Sequence, residues 1–165
     1  MKVAVILFNL GGPDKIERVE PFLFNLFNDQ AILNLPSFIR YPLAKLISKK
    51  RTPIAKEIYK EIGGSSPILK LTQDQATNLE SSLNSSQKTF NYKVFITMRC
   101  WHPRASETVK LVKDFDPSEV VLLPLYPQYS AATSGSSILE WKEIAKKNNL
   151  NIETSTICCY PEDNK

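Results

Sequence analysis

Histidine and cysteine are scarce in this chain, which has one histidine and three cysteines in 165 residues. A serine or cysteine triad would have to use His102 as its base, but a hydrogen-bonded structural role is the stronger interpretation at that predicted strand end. Cys158 and Cys159 are adjacent on a predicted strand, so their side chains point to opposite faces and do not converge on one ion. The sequence therefore predicts no metal site and no disulfide framework, which favours a reducing cytoplasm.

The chain also lacks a dense basic stripe and a long apolar run. A net charge of +4 is too weak to indicate nucleic acid, although it suits a small anionic ligand or an anionic membrane surface. No stretch approaches the roughly 18 apolar residues of a membrane span. The apolar run at 3–8 is short and ends in a Gly-Gly-Pro-Asp turn at 11–14, which favours a first strand over a signal peptide. We expect a cytoplasmic protein, with peripheral membrane contact left open.

Glycine is rare as well, with five residues in three places: Gly11 and Gly12, Gly63 and Gly64, and Gly135. All three places are predicted loops beside the end of a helix or strand, where positive φ or close backbone approach is needed. The first pair lacks the G-x-G-x-x-G spacing of a dinucleotide site and the Gly-Lys-Ser/Thr of a P-loop. Taken alone, it indicates a tight turn from a strand into a helix.

Apolar runs alternate with helical patterns, which predicts one α/β domain over 1–165 with a parallel sheet and right-handed crossovers. The predicted strands are 2–9, 92–98, 120–125 and 152–159. The first and third are almost continuously apolar, which is typical of strands buried on both faces. Among the helices, Pro36 and Pro42 are expected to divide 22–47 into short pieces, and Thr52 to start a new helix. Further N-caps are predicted at Thr72, and at Ser136 or Ser137.

The segment 22–47 carries more apolar side chains than two short helices need for packing on a sheet. It predicts an apolar lip over a pocket, or a surface that touches a membrane. The Lys-Lys-Arg run that follows at 49–51 usually marks a solvated helix end. Its functional interpretation is a clamp for a carboxylate or phosphate, with Arg51 as the bidentate donor.

Loops that follow parallel strands lie along one edge of a sheet, so the segments after the first three strands are expected to meet there. They carry Arg99 and Trp101 after the second strand, and Tyr126, Gln128 and Tyr129 after the third. Aromatic faces beside an arginine suit a flat, largely apolar ligand that bears anionic groups.

Five stretches also match the motifs of one known family. They are Leu-Phe-Asn-Leu-Gly-Gly-Pro-Asp at 7–14, Arg-Thr-Pro at 51–53, Tyr-Lys-Glu-Ile-Gly-Gly-Ser-Ser-Pro-Ile at 59–68, Met-Arg-Cys-Trp-His-Pro at 98–103, and Leu-Pro-Leu-Tyr-Pro-Gln-Tyr-Ser with Thr-Ser-Gly-Ser-Ser at 123–130 and 133–137. In that order, they resemble the amino-terminal half of ferrochelatase, which inserts ferrous iron into protoporphyrin IX to make protohaem.

The resemblance implies a flavodoxin-like, chelatase-type parallel sheet with flanking helices and a helical lip insertion. It implies ferrous iron and protoporphyrin IX as substrates, no further cofactor, and a carboxyl-terminal half as partner. The lip faces the membrane in some members. Carried over by position, the residues that line the porphyrin pocket or hold its propionates are Leu10, Arg51, Tyr59, Ser66, Arg99, Tyr129 and Ser130.

Three departures from the family pattern bear on activity. Cys100 stands where the family commonly has a tyrosine, and Ser65 replaces the third glycine of Gly-Gly-Gly-Ser-Pro. The histidine that accepts the pyrrole protons and its neighbouring glutamate belong to the family's other half, and neither motif occurs in this sequence. No catalytic residue is therefore assigned. Two hypotheses remain: a ferrochelatase that needs its second half, and a remnant or binding module for a porphyrin or another flat anion.

Overall fold

The computed structural model describes residues 1–86, 88–126 and 128–157. The chain forms two compact units. The first combines Met1–Leu10 with the described residues from Lys70 onward, and it contains the sheet. The second is Gly11–Leu69, and it is built from helices.

The sheet has four strands: β1 (Lys2–Asn9), β2 (Asn91–Met98), β3 (Glu119–Pro124) and β4 (Glu153–Thr156). All three pairings are parallel, and the spatial order is β2-β1-β3-β4. This is the strand order of flavodoxin-like folds. The predicted chelatase-type α/β fold class is therefore confirmed.

β1 lies between β2 and β3 in the sheet. Its side chains pack on both faces, so Val3 to Phe8 are all buried. On one face, helices α4 (Ala105–Phe115) and α5 (Ser136–Lys147) cover the core, where the rings of Phe8 and Trp141 meet edge to face at 6.1 Å. On the other face, helix α3 (Ile68–Ser86) packs through Ala76.

The prediction that β3 is buried on both faces was wrong. Val120, Leu122 and Pro124 are buried, but Val121 and Leu123 are only half-buried, because they face the side that α3 covers. β4 is shorter than predicted and exposed throughout. The adjacent cysteines at 158 and 159 lie outside the described residues.

The second unit contains α1 (Val19–Phe27) and the 25-residue helix α2 (Ser37–Glu61). The predicted division at Pro36 is confirmed, since α2 begins just after it, but the predicted breaks at Pro42 and before Pro53 were wrong, because both prolines lie inside α2. Ala44, Ser48 and Thr52, four residues apart, form one buried stripe through the helix. The stripe lies between the two interior prolines, each of which costs a helix about 3 kcal/mol, so tertiary packing must offset that cost. Thr52 is not an N-cap, because its hydroxyl donates back to the Ser48 carbonyl at 2.7 Å.

α2 ends in a glycine turn, as predicted. The Gly63 N–H donates to the Lys60 carbonyl at 3.2 Å and the Gly64 N–H to the Tyr59 carbonyl at 2.7 Å, which is the Schellman pattern. Gly63 has φ +92°, a conformation that favours glycine. α3 then begins at Ile68, so the prediction of Thr72 as its N-cap was wrong. The Ser66 hydroxyl accepts from the Ile68 N–H instead, and Thr72 is buried inside the helix.

Among the described residues, no helix combines the length and apolarity needed to cross a membrane.

Gly63→Ala should lower the free energy of unfolding by about 1 kcal/mol, because a side chain there must adopt positive φ. No atom lies within 4 Å of the added Cβ position, so a steric clash does not contribute. Gly63→Asn should cost less, since asparagine tolerates left-handed backbone. Urea unfolding measures both variants, and equal losses would contradict the backbone explanation.

Candidate functional site

The ends of three strands meet at one edge of the sheet in the first unit. Backbone N–H groups extend the pairing beyond the strands, from Arg99 to the Asn9 carbonyl at 2.9 Å and from Cys100 to the Leu10 carbonyl at 2.8 Å. On the other side of β1, the Leu125 N–H donates to the Phe8 carbonyl at 2.9 Å. We call this edge the strand-end rim, which comprises residues 9–10, 99–104, 125–126 and 128–135.

Ligands of flavodoxin-like sheets bind outside the carboxyl ends of the strands, where the strand order reverses. In this sheet that point lies between β1 and β3, on the strand-end rim. Leu10, Arg99, Tyr129 and Ser130 all lie on this rim. The structure therefore brings four of the seven predicted binding residues to one sheet edge.

Arg99 is held by an ion pair that sequence reasoning missed. Its Nη1 lies 2.8 Å from Oε1 of Glu140 in α5, and Nη2 of Arg104 lies 3.1 Å from the same oxygen. A usable signal was present, because the first turns of a helix that follows a strand-end loop must lie near that edge. Glu140 is the first acidic residue of α5.

Leu10 is half-buried, and its backbone is fixed on both sides. Its N–H donates to the side-chain oxygen of Asn9 at 2.9 Å, while its carbonyl accepts from Cys100. Cys100 itself is 1% exposed, so the residue that replaces the family's tyrosine is a buried thiol.

The loop after β3 leads into a π-helical turn at Ala131–Gly135. The Gly135 N–H donates to the Ser130 carbonyl five residues back at 3.0 Å, and the Ser130 hydroxyl accepts from the Ala132 N–H at 3.2 Å. The predicted N-caps at Ser136 and Ser137 were therefore wrong, because the helical winding starts earlier and Ser130 caps it.

Tyr129 is 58% exposed, and its ring lies against Gly135. A Cβ at Gly135 would lie 2.7 Å from the phenol oxygen of Tyr129, so a side chain there would require the exposed tyrosine ring to shift. The glycine therefore provides the space in which the tyrosine ring lies at the rim.

His102 has a hydrogen-bonded position, in agreement with its structural interpretation. Its Nδ1 lies 2.7 Å from Oε2 of Glu107, and the same carboxylate oxygen accepts from the Arg104 N–H at 2.6 Å. The Arg104 N–H, followed by the hydrogen bond and charge of His102, holds the pKa of Glu107 below its usual range.

The other three predicted residues, Arg51, Tyr59 and Ser66, belong to the second unit. Arg51 is exposed on α2, whereas Tyr59 is half-buried, and its burial raises the pKa of the phenol. Ser66 joins two of the sequence motifs, since its N–H donates to the Pro13 carbonyl at 2.8 Å. A side chain at Gly12 would collide with that of Ser66, which explains the glycine there.

The second unit also has a pocket of about 430 Å³ between α1 and α2. Its lining combines an aromatic pair, Phe24 and Tyr41 at 5.2 Å, with charged side chains that include Glu17, Glu20 and Lys45. None of the predicted binding residues lines this pocket. In the described part of the chain, no three histidine, cysteine or acidic side chains are grouped to hold a metal ion.

A family model described as ferrochelatase matches residues 2–165. The ferrochelatase of Pelagibacter ubique strain HTCC1062 is 68% identical over 163 residues, which are 99% of this chain and 47% of that protein. The ferrochelatase of a Wolbachia species of Drosophila simulans is 56% identical, over 97% of this chain and 50% of that protein. The ferrochelatase of Rickettsia bellii is 47% identical, over 97% of this chain and 44% of that protein. The chain spans about half the length of the curated relatives it matches.

The Glu107 carboxylate should make stability depend on pH in the acidic range. Because its pKa is lowered on folding, its contribution is present above the ordinary glutamate value of about 4.3 and is lost as pH falls through the lowered folded value. The difference in unfolding free energy between the chain and Glu107→Gln should therefore shrink between about pH 5 and pH 3. Urea titrations at several pH values measure it, and a constant difference would contradict the prediction.

Proposed function

The chain belongs to the ferrochelatase family, and on that premise we propose that it supplies the porphyrin-binding half of an enzyme that inserts ferrous iron into protoporphyrin IX. The observation that carries this proposal is the position of Arg99 on the strand-end rim beside Leu10. Such a rim offers a cation for an acidic side chain and apolar contacts for a ring.

In this proposal Arg99 binds a propionate group of the porphyrin through charge-assisted hydrogen bonds. Leu10 and the exposed ring of Tyr129 contact the macrocycle, and Ser130 contributes polar contacts beside them. By family resemblance, Arg51, Tyr59 and Ser66 of the second unit are also assigned to porphyrin binding. A flat ligand with two acidic groups matches this combination of guanidinium, aromatic and apolar side chains.

Metal insertion also requires a base that removes the two pyrrole protons. Among the described residues, His102 is paired with Glu107, and we assign no base in this chain. We propose that the family's other half supplies it. Ferrous iron is the second substrate, and the proposal includes no further cofactor and no nucleic acid.

A second candidate function is a surface that binds a porphyrin or another flat anion without chelatase activity. It is favoured by the position of Leu10, Arg99 and Tyr129 on the strand-end rim together with the pairing of His102 with Glu107. The two candidates share a ligand and differ in whether metal is inserted in the presence of the family's other half.

We further propose cytoplasmic location with peripheral contact to an anionic membrane. Phe38, Ile39 and Leu46 are exposed on α2, and Lys45 and Lys49 are exposed on the same helix. Apolar side chains beside lysines are typical of interfacial helices.

Protoporphyrin should quench tryptophan fluorescence of the chain on titration, and Arg99→Ala should weaken binding roughly tenfold by removing one charge-assisted contact. Fusion to the portion of the Pelagibacter relative that this chain does not match should restore metallation. A fusion that binds porphyrin but inserts no metal would favour the binding module. A chain that binds no porphyrin would reject both candidates.

For the membrane proposal, the chain should co-sediment with vesicles that contain phosphatidylserine, and less with neutral phosphatidylcholine vesicles. Replacement of Phe38 and Leu46 by serine should reduce binding to both, because it removes exposed apolar surface. Sedimentation that is unaffected by lipid charge and by these substitutions would reject the proposed contact.

A further inference from the structure

A polar cavity lies in the second unit, where the chain passes from α1 into α2. Its volume is about 370 Å³, which is within the range of pockets that take small organic ligands. Arg40 is the charged residue of its lining, and none of the described lining residues is acidic. We call this space the α2-start cavity, which is lined by Gln30, Asn34, Leu35, Pro36, Ser37 and Arg40.

The segment between α1 and α2 is folded on itself by its own hydrogen bonds. The Asp29 carbonyl accepts from the Ile32 N–H at 3.1 Å and from the Leu33 N–H at 2.9 Å. Nη1 of Arg40 then donates to the Leu35 carbonyl at 2.8 Å, which links this segment to α2. The Arg40 side chain is therefore held in position without a ligand, and such pre-organisation lowers the entropy cost of binding.

The guanidinium of Arg40 has donors that the protein does not use. Of its five N–H donors, the described residues pair only Nη1, with Leu35, and the buried Nε has no partner among them. Unsatisfied donors on a half-buried cation cost stability. A phosphate offers several oxygens to one guanidinium and would use the donors that remain. The lining residues Gln30, Asn34 and Ser37 are neutral and can donate to further phosphate oxygens.

Exposed apolar side chains lie between these polar residues along the chain. Ile32, Phe38 and Ile39 are exposed, and each is within two residues of a residue that lines the cavity. A phosphate free in solution gains nothing from apolar neighbours. A phosphate in a lipid headgroup lies at the edge of the acyl region, where exposed apolar side chains lose their contact with water. The arrangement therefore fits a phospholipid headgroup.

We propose that the α2-start cavity binds the phosphate of a phospholipid headgroup, with Arg40 as its charged donor. The three neutral polar side chains of the lining donate beside it, and the exposed apolar side chains enter the edge of the bilayer. This inference rests on the proposed membrane contact. It adds a specific headgroup site to a contact that exposed apolar residues and lysines alone would make without regard to headgroup chemistry.

The test compares two phosphatidylcholine vesicles with equal surface charge. In one the charge comes from phosphatidic acid, whose phosphate is terminal. In the other it comes from oleic acid, whose carboxylate is attached directly to the acyl chain and does not extend into a cavity. Co-sedimentation gives the ratio of the two apparent dissociation constants, here called the phosphate preference. The unsubstituted chain should bind the phosphatidic acid vesicles more tightly, and Arg40→Gln should reduce the phosphate preference roughly tenfold.

Two further variants separate the headgroup site from general electrostatic attraction. Arg40→Lys keeps the charge and should restore only part of the phosphate preference, because an ammonium lacks the fork of a guanidinium. Lys49→Gln removes an exposed cation from the same helix outside the cavity. It should weaken binding to both vesicles alike, so that the phosphate preference is unchanged. A loss of fold would also act on both vesicles alike.

The outcomes distinguish this inference from the proposed membrane contact. If the chain binds both vesicles equally, or if Arg40→Gln keeps the phosphate preference, the headgroup site is overturned while the membrane contact stands. If the chain sediments with neither vesicle, both fall. Inorganic phosphate tests the other source of the same chemistry. If it raises the melting temperature of the chain through Arg40 while the vesicles show no phosphate preference, the site takes a free phosphate and the lipid proposal is wrong.

Discussion

The parallel pairing of β1 with β2 and β3 is the constraint on which the rest of the structure depends. Parallel neighbours require crossover connections, so every loop after a strand emerges at the same edge. Here the pairing continues past the strands themselves, because Arg99 and Cys100 donate to Asn9 and Leu10. The strand-end rim is therefore held by the same kind of hydrogen bond as the sheet. Side chains that are distant in the chain acquire fixed neighbours there.

Local patterns predicted the sheet well where burial and periodicity agree. β1 has the predicted bounds, and β2 begins one residue earlier than predicted. Prediction failed where tertiary packing overrides a local preference. Pro42 and Pro53 favour breaks, but both lie inside α2, and the buried residues that hold the helix in place lie between them. A π turn is also hard to foresee, since serines at 136 and 137 fit an N-cap equally well.

The rim was predictable from topology, whereas the contacts within it were not. Residues that follow parallel strands must share an edge, and this placed Arg99 and Tyr129 together from sequence alone. The partner of Arg99 depends on how α5 is rotated about its axis, which periodicity fixes only approximately. Glu140 therefore became visible only in three dimensions, as the shared partner of Arg99 and Arg104.

The packing of Tyr129 on Gly135 has a consequence for how such loops change over evolution. The absence of a side chain at Gly135 leaves the volume that the phenol of Tyr129 occupies. A bulkier residue at 135 would displace this exposed ring from the turn or favour a smaller residue at 129. Covariation between positions 129 and 135, six residues apart, would then show that the contact between the ring and the turn is under selection.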